Sequence, residues 1–359
     1  MREFLKKKNI VFSAKRYGID AMGAMAQGLF CSLLIGTIVK TIGQQADIPF
    51  FIDIGAYCSV MSGPAMAVAI GYALQAPPLV LFSLATVGYA ANALGSTTIS
   101  GDTGAGGPLA VLFIAIIAAE FGKAVSKETK IDLLVTPLVT ILIGVGLSAL
   151  IAPAIGTAAS FVGEFVELAT VLHPFWMGIL VSVIIGMALT LPISSAAICA
   201  ALGLTGLAGG AAVAGCCAQM IGFAVLSFKE NGWGGFISQG LGTSMLQMGN
   251  IVRNPKIWIP ATLASAVTGP VATCVFNFQM NDPAGGIASG MGTCGMVGPI
   301  GVYAGWVNDI ATGAKAAITG VDWLAMLLIC FVLPAVLTLL FGSMCRKAGW
   351  IKEGDLKLD

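Results

Sequence analysis

Polar side chains inside apolar segments are the residues of this sequence that could do chemistry. They are concentrated in its second half: Ser194, Ser195, Gln219, Gln247, Asn250, Asn277, Gln279, Asn281 and Asp282. Because polar groups are costly within a membrane, such a set indicates a functional site, although each amide taken singly is more simply explained as a hydrogen bond between helices. Only Asp282 carries a charge, so the set suits an uncharged, hydroxyl-rich solute better than an ion.

The elements that must position these side chains are membrane helices. Hydrophobic residues make up 57% of the chain, charged residues make up 10%, and the mean hydropathy is +0.93. This composition predicts an all-α polytopic membrane protein with about ten membrane elements, some of them incomplete. The apolar runs of spanning length are Ala21 to Val39, Tyr57 to Leu74, Pro78 to Leu94, Leu133 to Ile151, Phe175 to Leu191, Gly209 to Phe228, Ile257 to Phe278 and Trp323 to Phe341. The shorter or broken runs are Pro108 to Phe121, Ile193 to Leu207, Phe236 to Asn250 and Ile287 to Val302.

Basic residues crowd both ends of the chain: Arg2, Lys6, Lys7, Lys8, Lys15 and Arg16 at the start, and Arg346, Lys347, Lys352 and Lys357 at the end. This distribution predicts that both termini are cytoplasmic and that the number of full crossings is even. The short connection carrying Lys123, Lys127 and Lys130 is then expected on the same side. We interpret Ala21 to Val39 as the first helix and not as a cleaved signal, because it is long enough to span and no convincing cleavage site follows.

Two glycine-dense segments interrupt the apolar pattern, one in each half: Gly95 to Pro108 and Asn281 to Gly301, the second with seven glycines. Paired interruptions of this kind are typical of transporters, where irregular backbone lines a cavity. We therefore predict a re-entrant hairpin at Asn281 to Gly301. The alternative is close helix packing, because Gly286 and Gly290 have small-x-x-x-small spacing. The G-x-G-x-x-G match at Gly290 to Gly295 lacks the preceding strand and the acidic residue of a dinucleotide site.

No catalytic residue, metal site or cofactor is predicted. None of the nine cysteines forms a C-x-x-C pair, so we interpret them as small apolar packing residues. The single histidine, His173, precedes a proline at the start of an apolar run and is interpreted as structural. No nucleic-acid partner is expected.

Four regions are predicted along the chain. Residues 1–155 form an N-terminal membrane scaffold. Residues 156–172 form an amphipathic interfacial helix, because their aromatic and acidic residues lie roughly on different faces. Residues 173–344 hold the polar side chains and form the substrate-binding half, and residues 345–359 form a cytoplasmic tail.

Three motifs carry a family resemblance. "HPFWMGILVSVIIGMALTLPISSAA" (His173 to Ala197) resembles a family segment that begins Asn-Pro and ends Gly-Gly-Pro-Val-Asn-Lys-Ala-Ala. "NPKIWIPATLASAVTG" (Asn254 to Gly269) resembles a segment that begins Asp-Pro-Leu-Arg-Val-Ile-Pro, and "PAGGI" (Pro283 to Ile287) resembles Pro-His-Gly-Gly-Ile. The chain thus resembles the fructose-type membrane subunit, enzyme IIC, of the bacterial phosphotransferase system. It looks closest to the diverged branch that includes the clostridial toxin-regulator membrane proteins.

The departures from the family pattern remove its polar and titratable groups. Ser194 and Ser195 stand where the family has Asn-Lys, and Ala284 stands where it has histidine. Met245 falls on the family's glutamate, with Ser244 and Gln247 as the nearest polar groups. Serine, methionine and alanine cannot accept a proton near neutral pH, so general-base assistance to phosphoryl transfer is not expected from these positions.

The resemblance implies a homodimer in lipid, in the bacterial cytoplasmic membrane, whose first half is the dimerisation scaffold. It also implies a permease subunit that binds and translocates a small sugar or polyol. Any phosphorylation would require separate IIA and IIB proteins, since no residue of this chain is expected to be phosphorylated. The alternative is a membrane sensor or regulator that kept the binding shell and lost transport. The predicted binding residues are Ser194, Ser195, Ser244, Gln247, Asn250, Asn281, Asp282, Gly285 and Gly286.

Overall fold

The computed structural model describes residues 2–281 and 286–358, and over these residues the chain is helical apart from its connections and two isolated β-bridges. Residue contacts divide the chain into two compact units, Met1–Ser160 and Phe161–Asp359. The division falls inside the predicted interfacial segment 156–172. The roles predicted for the two halves, scaffold and substrate binding, stay predictions.

Several helices of the first unit begin at or beside a proline and continue through apolar residues. Pro78 and Pro108 lie in the first turns of two of them, where the missing proline N–H costs nothing. The helices that begin in this unit are α1 (Arg2–Lys7), α2 (Ala21–Leu29), α3 (Ile35–Ala46), α4 (Pro49–Val60), α5 (Ser62–Ala73), α6 (Pro78–Gly95), α7 (Gly107–Val125) and α8 (Asp132–Thr170), which continues past the division at Ser160.

The predicted span Tyr57 to Leu74 is divided between α4 and α5, which are bent by 50° at their junction. Pro64 lies at the start of α5 and has no N–H to donate to Val60, and its ring would clash with that carbonyl group in a continuous helix. The sequence pattern of apolar residues continues across this break, so hydropathy alone does not reveal it.

Helix α7 is longer than the predicted short run Pro108 to Phe121 and reaches Val125. Lys123, which we predicted in a connection, therefore lies within the helix, with its side chain 1% exposed. Its ammonium pairs with the Glu120 carboxylate three residues earlier, at 2.8 Å. This internal pairing allows the helix to continue beyond the end of the apolar run.

Helix α8 is continuous over 39 residues. Of residues 156–172, predicted as a separate amphipathic helix, residues 156–170 form the last turns of this helix. The predicted glycine-rich interruption at Gly95 to Pro108 is the connection between α6 and α7, and a β-bridge joins Thr97 to Thr103 across it.

The second unit is organised around a central, almost entirely buried helix, α11. Its glycines admit close neighbours: a Cβ at Gly215 would collide with the carbonyl oxygen of Ser182 on α9, and one at Gly210 would collide with the carbonyl oxygen of Phe278. The helices are α9 (Pro174–Thr190), α10 (Ser195–Ala201), α11 (Gly206–Leu226), α12 (Phe228–Ile237), α13 (Met248–Arg253), α14 (Ile259–Pro270), α15 (Val297–Ala311), α16 (Gly320–Leu327) and α17 (Leu333–Lys347).

Seven helical stretches in the described part of the chain are long and apolar enough to cross a membrane, or eight if the bent pair α4 and α5 is one span. They are Arg16–Ala46, Pro78–Gly95, Gly107–Val125, Asp132–Thr170, Gly206–Leu226, Pro255–Val275 and Gly320–Lys347. Helix α9 is apolar but has 17 residues. The predicted all-α polytopic membrane class is confirmed, with fewer complete spans than the apolar runs suggested.

Candidate functional site

The predicted polar residues of the second unit fall into four hydrogen-bonded groups in the described part of the chain. The first surrounds Gln219, which is fully buried on α11. Its Oε1 atom accepts a hydrogen bond from the indole of Trp258 at 2.9 Å, and its Nε2 atom lies 3.4 Å from the hydroxyl oxygens of Thr262 and Ser265. The amide is therefore fully occupied in joining α11 to α14, which is the packing role that the alternative interpretation assigned to it.

Ser244 belongs to the same buried group. Its hydroxyl lies 2.8 Å from the hydroxyl of Thr190 at the end of α9, and both side chains are completely buried. Met245, at the position of the family's glutamate, is also buried at 2% exposure. This short 3-10 segment, Ser244–Gln247, packs against the core and offers no ionisable side chain.

The second group contains Ser194, Ser195 and Gly286. Ser194 accepts a hydrogen bond from the Ala197 backbone N–H and caps α10, as a serine at an N-terminus commonly does. The Ser195 hydroxyl donates to the carbonyl of Gly290 at 2.7 Å. Gly286 has φ of +75°, a conformation that favours glycine, and its N–H donates to the carbonyl of Leu204.

The irregular backbone around Gly286 to Met296 lies against both α10 and α11. A Cβ at Gly290 would collide with the backbone of Ser195, and one at Gly292 would collide with Cys216. Two 3-10 turns, Ile287–Gly290 and Cys294–Met296, replace a regular helix here. Close packing thus accounts for several of the glycines in the predicted hairpin, and its re-entrant course stays a prediction.

The third group is formed by Gln247 and Asn250, both buried, near the end of the unit where α17 finishes. Asn250 Nδ2 donates to Gln247 Oε1 at 2.9 Å, and Gln247 Nε2 donates to Gln239 Oε1 at the same distance. The remaining partners of both amides are backbone carbonyl groups of the C-terminal tail, Leu356 and Lys357. The two predicted residues are thus brought together, with a segment that the sequence did not suggest.

The fourth group lines a polar cavity of about 180 Å³ at the other end of the unit. Asn281 Nδ2 donates to Asp309 Oδ2 at 2.8 Å across this cavity, and Lys315 pairs with Asp322 at 2.6 Å. The remaining lining residues include the amides Asn277 and Gln279 and the indole of Trp306. Lys315 Nζ lies 5.6 Å from the centre of that indole ring, within the range of a cation–π contact.

Of the predicted binding residues that the structure describes, Asn281 alone lines this cavity, beside Asn277 and Gln279 of the wider polar set. Asp282 and Gly285 lie outside the described residues. Sequence reasoning missed Trp306, Asp309, Lys315 and Asp322, because we searched for polar residues within apolar runs and these lie around the loop between α15 and α16. Acidic and basic residues alternate along the sequence at Asp309, Lys315 and Asp322, around a short loop between two apolar segments. This alternation was the sequence feature that could have indicated the cavity.

The cavity and the tail site lie at opposite ends of one spanning helix. Asp322 and Ala325, near the start of Gly320–Lys347, line the cavity, whereas the tail follows the end of the same helical stretch. At 1.5 Å per residue, these 28 residues extend about 40 Å, which exceeds the thickness of the hydrocarbon core. The two polar sites therefore lie at opposite ends of a helical stretch that is long enough to cross a membrane.

A family model described as "Phosphotransferase system, EIIC" matches residues 19–358. The comparisons with curated proteins and with solved structures found no match.

Proposed function

Because this chain belongs to the phosphotransferase system EIIC family, whose model matches residues 19–358, we propose that it binds and translocates a small sugar or polyol. Family membership makes it a phosphotransferase-type permease component in the bacterial inner membrane. The class of solute, the fructose-type affinity and the relation to the toxin-regulator branch are parts of this proposal.

The polar cavity is the observation that carries the proposal. Its lining combines three amides, the Asp309 carboxylate that accepts from one of them, one Lys–Asp ion pair and an indole. Amides and carboxylates bond to hydroxyl groups as donors and acceptors. A volume of about 180 Å³ lies below the range of about 300–1,000 Å³ typical of drug-sized ligands and suits one small solute.

Separate IIA and IIB proteins are the proposed source of any phosphoryl group, and a homodimer with both termini in the cytoplasm is the proposed assembly. The predicted residues Ser194, Ser195, Gln247, Asn250 and Gly286 would serve the solute after it leaves the cavity.

A sensor or regulator is the alternative function, and Met245 favours it. This buried, non-ionisable residue replaces the glutamate of the family pattern, so the chain offers no base for phosphoryl transfer at that point. A sensor would bind the same solute in the same cavity and would not carry it across the membrane.

The proposal is tested by equilibrium binding of fructose, mannitol, ascorbate and their phosphates to the detergent-purified protein. Replacing Asn281 by alanine removes a cavity donor, and we expect binding of the preferred solute to weaken by about fivefold, the equivalent of about 1 kcal/mol for one hydrogen bond. Asn308→Ala is the matched control, because Asn308 neighbours Asp309 on α15 but does not line the cavity. Equal affinity of the Asn281→Ala variant and the wild type would remove the cavity from the solute site.

A further inference from the structure

The C-terminal tail, residues 350–358, folds back onto the end of the second unit. Gly349 has φ of +71° and ends α17, which lets the Trp350 N–H donate to the carbonyl of Cys345 at 2.9 Å. A second turn at Lys352–Asp355 is closed by the Lys352 N–H, which donates to the Asp355 carboxylate at 2.8 Å. The tail is thus a short, ordered segment with a defined course.

Side-chain amides hold the carbonyl groups of this tail. The carbonyl oxygen of Leu356 accepts from Asn231 Nδ2 at 2.8 Å and from Gln247 Nε2 at 2.9 Å. The carbonyl oxygen of Lys357 accepts from Asn250 Nδ2 at 2.8 Å. Two residues of the predicted solute-binding set therefore donate to the protein's own backbone.

The backbone N–H groups of the tail are held in the same way. The Leu356 N–H donates to the Glu230 carboxylate at 2.9 Å, and the Leu358 N–H donates to the Asn231 side-chain oxygen at 2.8 Å. The side chain of Leu356 is completely buried and that of Ile351 is 3% exposed, so two apolar anchors accompany these hydrogen bonds.

The chemistry of this contact is not specific for a peptide. An amide N–H donates equally to a carbonyl oxygen and to a hydroxyl oxygen, and a carboxylate accepts from a backbone N–H or from a hydroxyl. Gln247 and Asn250 are buried, so departure of the tail would leave their donors unsatisfied unless water or a hydroxyl-bearing solute replaced it. The tail carbonyls occupy positions that solute hydroxyls could take.

We propose that residues 350–358 form a removable plug that closes a second polyhydroxyl-binding site made by Glu230, Asn231, Gln247 and Asn250, at the membrane face opposite the cavity. The arriving solute displaces the plug by taking its hydrogen bonds. This inference rests on the proposed function, since it requires a hydroxyl-bearing solute. In this structure the cavity is open at one end of the second unit, and the plug closes the site at the other end. Alternating access requires a state of this kind, in which only one site is open.

The experiment compares three proteins by their affinity for solute and by the protection of their tail amides against hydrogen exchange. They are the wild type, a variant that ends at Gly349, and Glu353→Gln, a control in an exposed part of the tail. Fructose and mannitol are the probes, and amide hydrogen exchange reports the Leu356 and Leu358 N–H groups. We expect these amides to be protected in the wild type and to exchange faster when solute is added. We expect the shortened protein to bind solute about fivefold more tightly or better, the low end of typical coupling between sites.

The outcomes separate the two proposals. Equal affinity of the wild type and the shortened protein, with tail amides that stay protected when solute is bound, would overturn the plug and leave the proposed function standing. Absence of binding in all three proteins would overturn both. Binding by the shortened protein alone would support both. If the shortened protein does not fold, as judged by gel filtration and thermal unfolding, Leu356→Ser removes the buried anchor in the full-length chain and replaces it in the comparison.

Discussion

Lys123 shows how a charged residue is accommodated among apolar helices of the first unit. Its ammonium contacts the Glu120 carboxylate at 2.8 Å and donates to the carbonyl oxygens of Asn9 and Leu74 at 3.0 and 3.1 Å. The Tyr17 hydroxyl donates to the other oxygen of Glu120 at 3.1 Å. The group fastens the N-terminal segment and the α5–α6 turn to α7, so its role is structural.

Replacing Lys123 by methionine would leave the Glu120 carboxylate buried without its cation. Breaking one partner of a buried ion pair costs about 3–5 kcal/mol, and we expect a clearly lower midpoint of thermal unfolding in detergent. The double variant Glu120→Gln/Lys123→Met removes both charges and should recover part of the loss, because no uncompensated charge remains. A double variant less stable than Lys123→Met alone would show that the hydrogen bonds of Glu120, and not its charge, dominate.

Individual polar residues were recognisable in the sequence, but their partners were not. Gln247 and Asn250 are noticeable because amides in apolar segments are costly, yet the carbonyl groups they bind lie more than 100 residues later in a tail of ordinary composition. A backbone carbonyl group has no residue-type signature, so no pattern could indicate this pairing. Asn281 was predicted, whereas Asp309 was not, because Asp309 lies at a helix end where charges are common.

Helix α11 illustrates at the level of elements why this sequence needs so much glycine. It packs on α9, α14 and α17, and a side chain at several of its glycines would meet neighbouring backbone. Without a hydrophobic driving force between helices in lipid, close backbone approach supplies the packing energy.

We expect Gly215→Ala to disrupt the α9–α11 contact, because its Cβ would collide with the Ser182 carbonyl group, which is backbone and cannot rotate away. The result should be a lower thermal midpoint and a smaller fraction of monodisperse protein on gel filtration. Gly146→Ala on α8 is the matched control, since a Cβ there meets nothing within 4 Å. The control should be neutral or slightly stabilising, as alanine favours helix by up to about 1 kcal/mol over glycine. Equal loss in both variants would attribute the effect to something other than the contact.

Hydropathy predicted the existence of most helices and predicted their ends poorly. Composition alone placed the chain in the membrane class, because many apolar runs of spanning length recur and only 10% of the residues are charged. The break between α4 and α5 depends on where one proline falls, and the extension of α7 depends on a Glu–Lys pair that neutralises itself. The 39-residue length of α8 includes a segment whose acidic residues suggested a separate element.

At the scale of the whole molecule, the second unit has a polar site at each end. This feature is relevant to the question whether the protein is a carrier or a sensor. A sensor needs one binding site and a change of shape, whereas a carrier needs access from both faces. The cavity around Asn281 and Asp309 and the buried group around Gln247 and Asn250 lie at the two ends of the unit, as the proposed carrier function would require. Solute flux is the property that distinguishes the two functions.

We expect the protein, reconstituted into lipid vesicles without any phosphoryl donor, to equilibrate the bound solute across the membrane. The reason is that Met245 and its neighbours provide no group that could assist phosphorylation, so transport should not depend on it. Uptake of radiolabelled solute measures this directly. Vesicles holding Asn281→Ala are the control for entry through the cavity and should fill more slowly at low solute concentration, whereas Asn308→Ala should match the wild type. The contrary outcome is full-affinity binding with no flux above that of protein-free vesicles, even after a IIB-type donor is supplied. The protein would then act as a sensor, because the solute would bind without passing between the two sites.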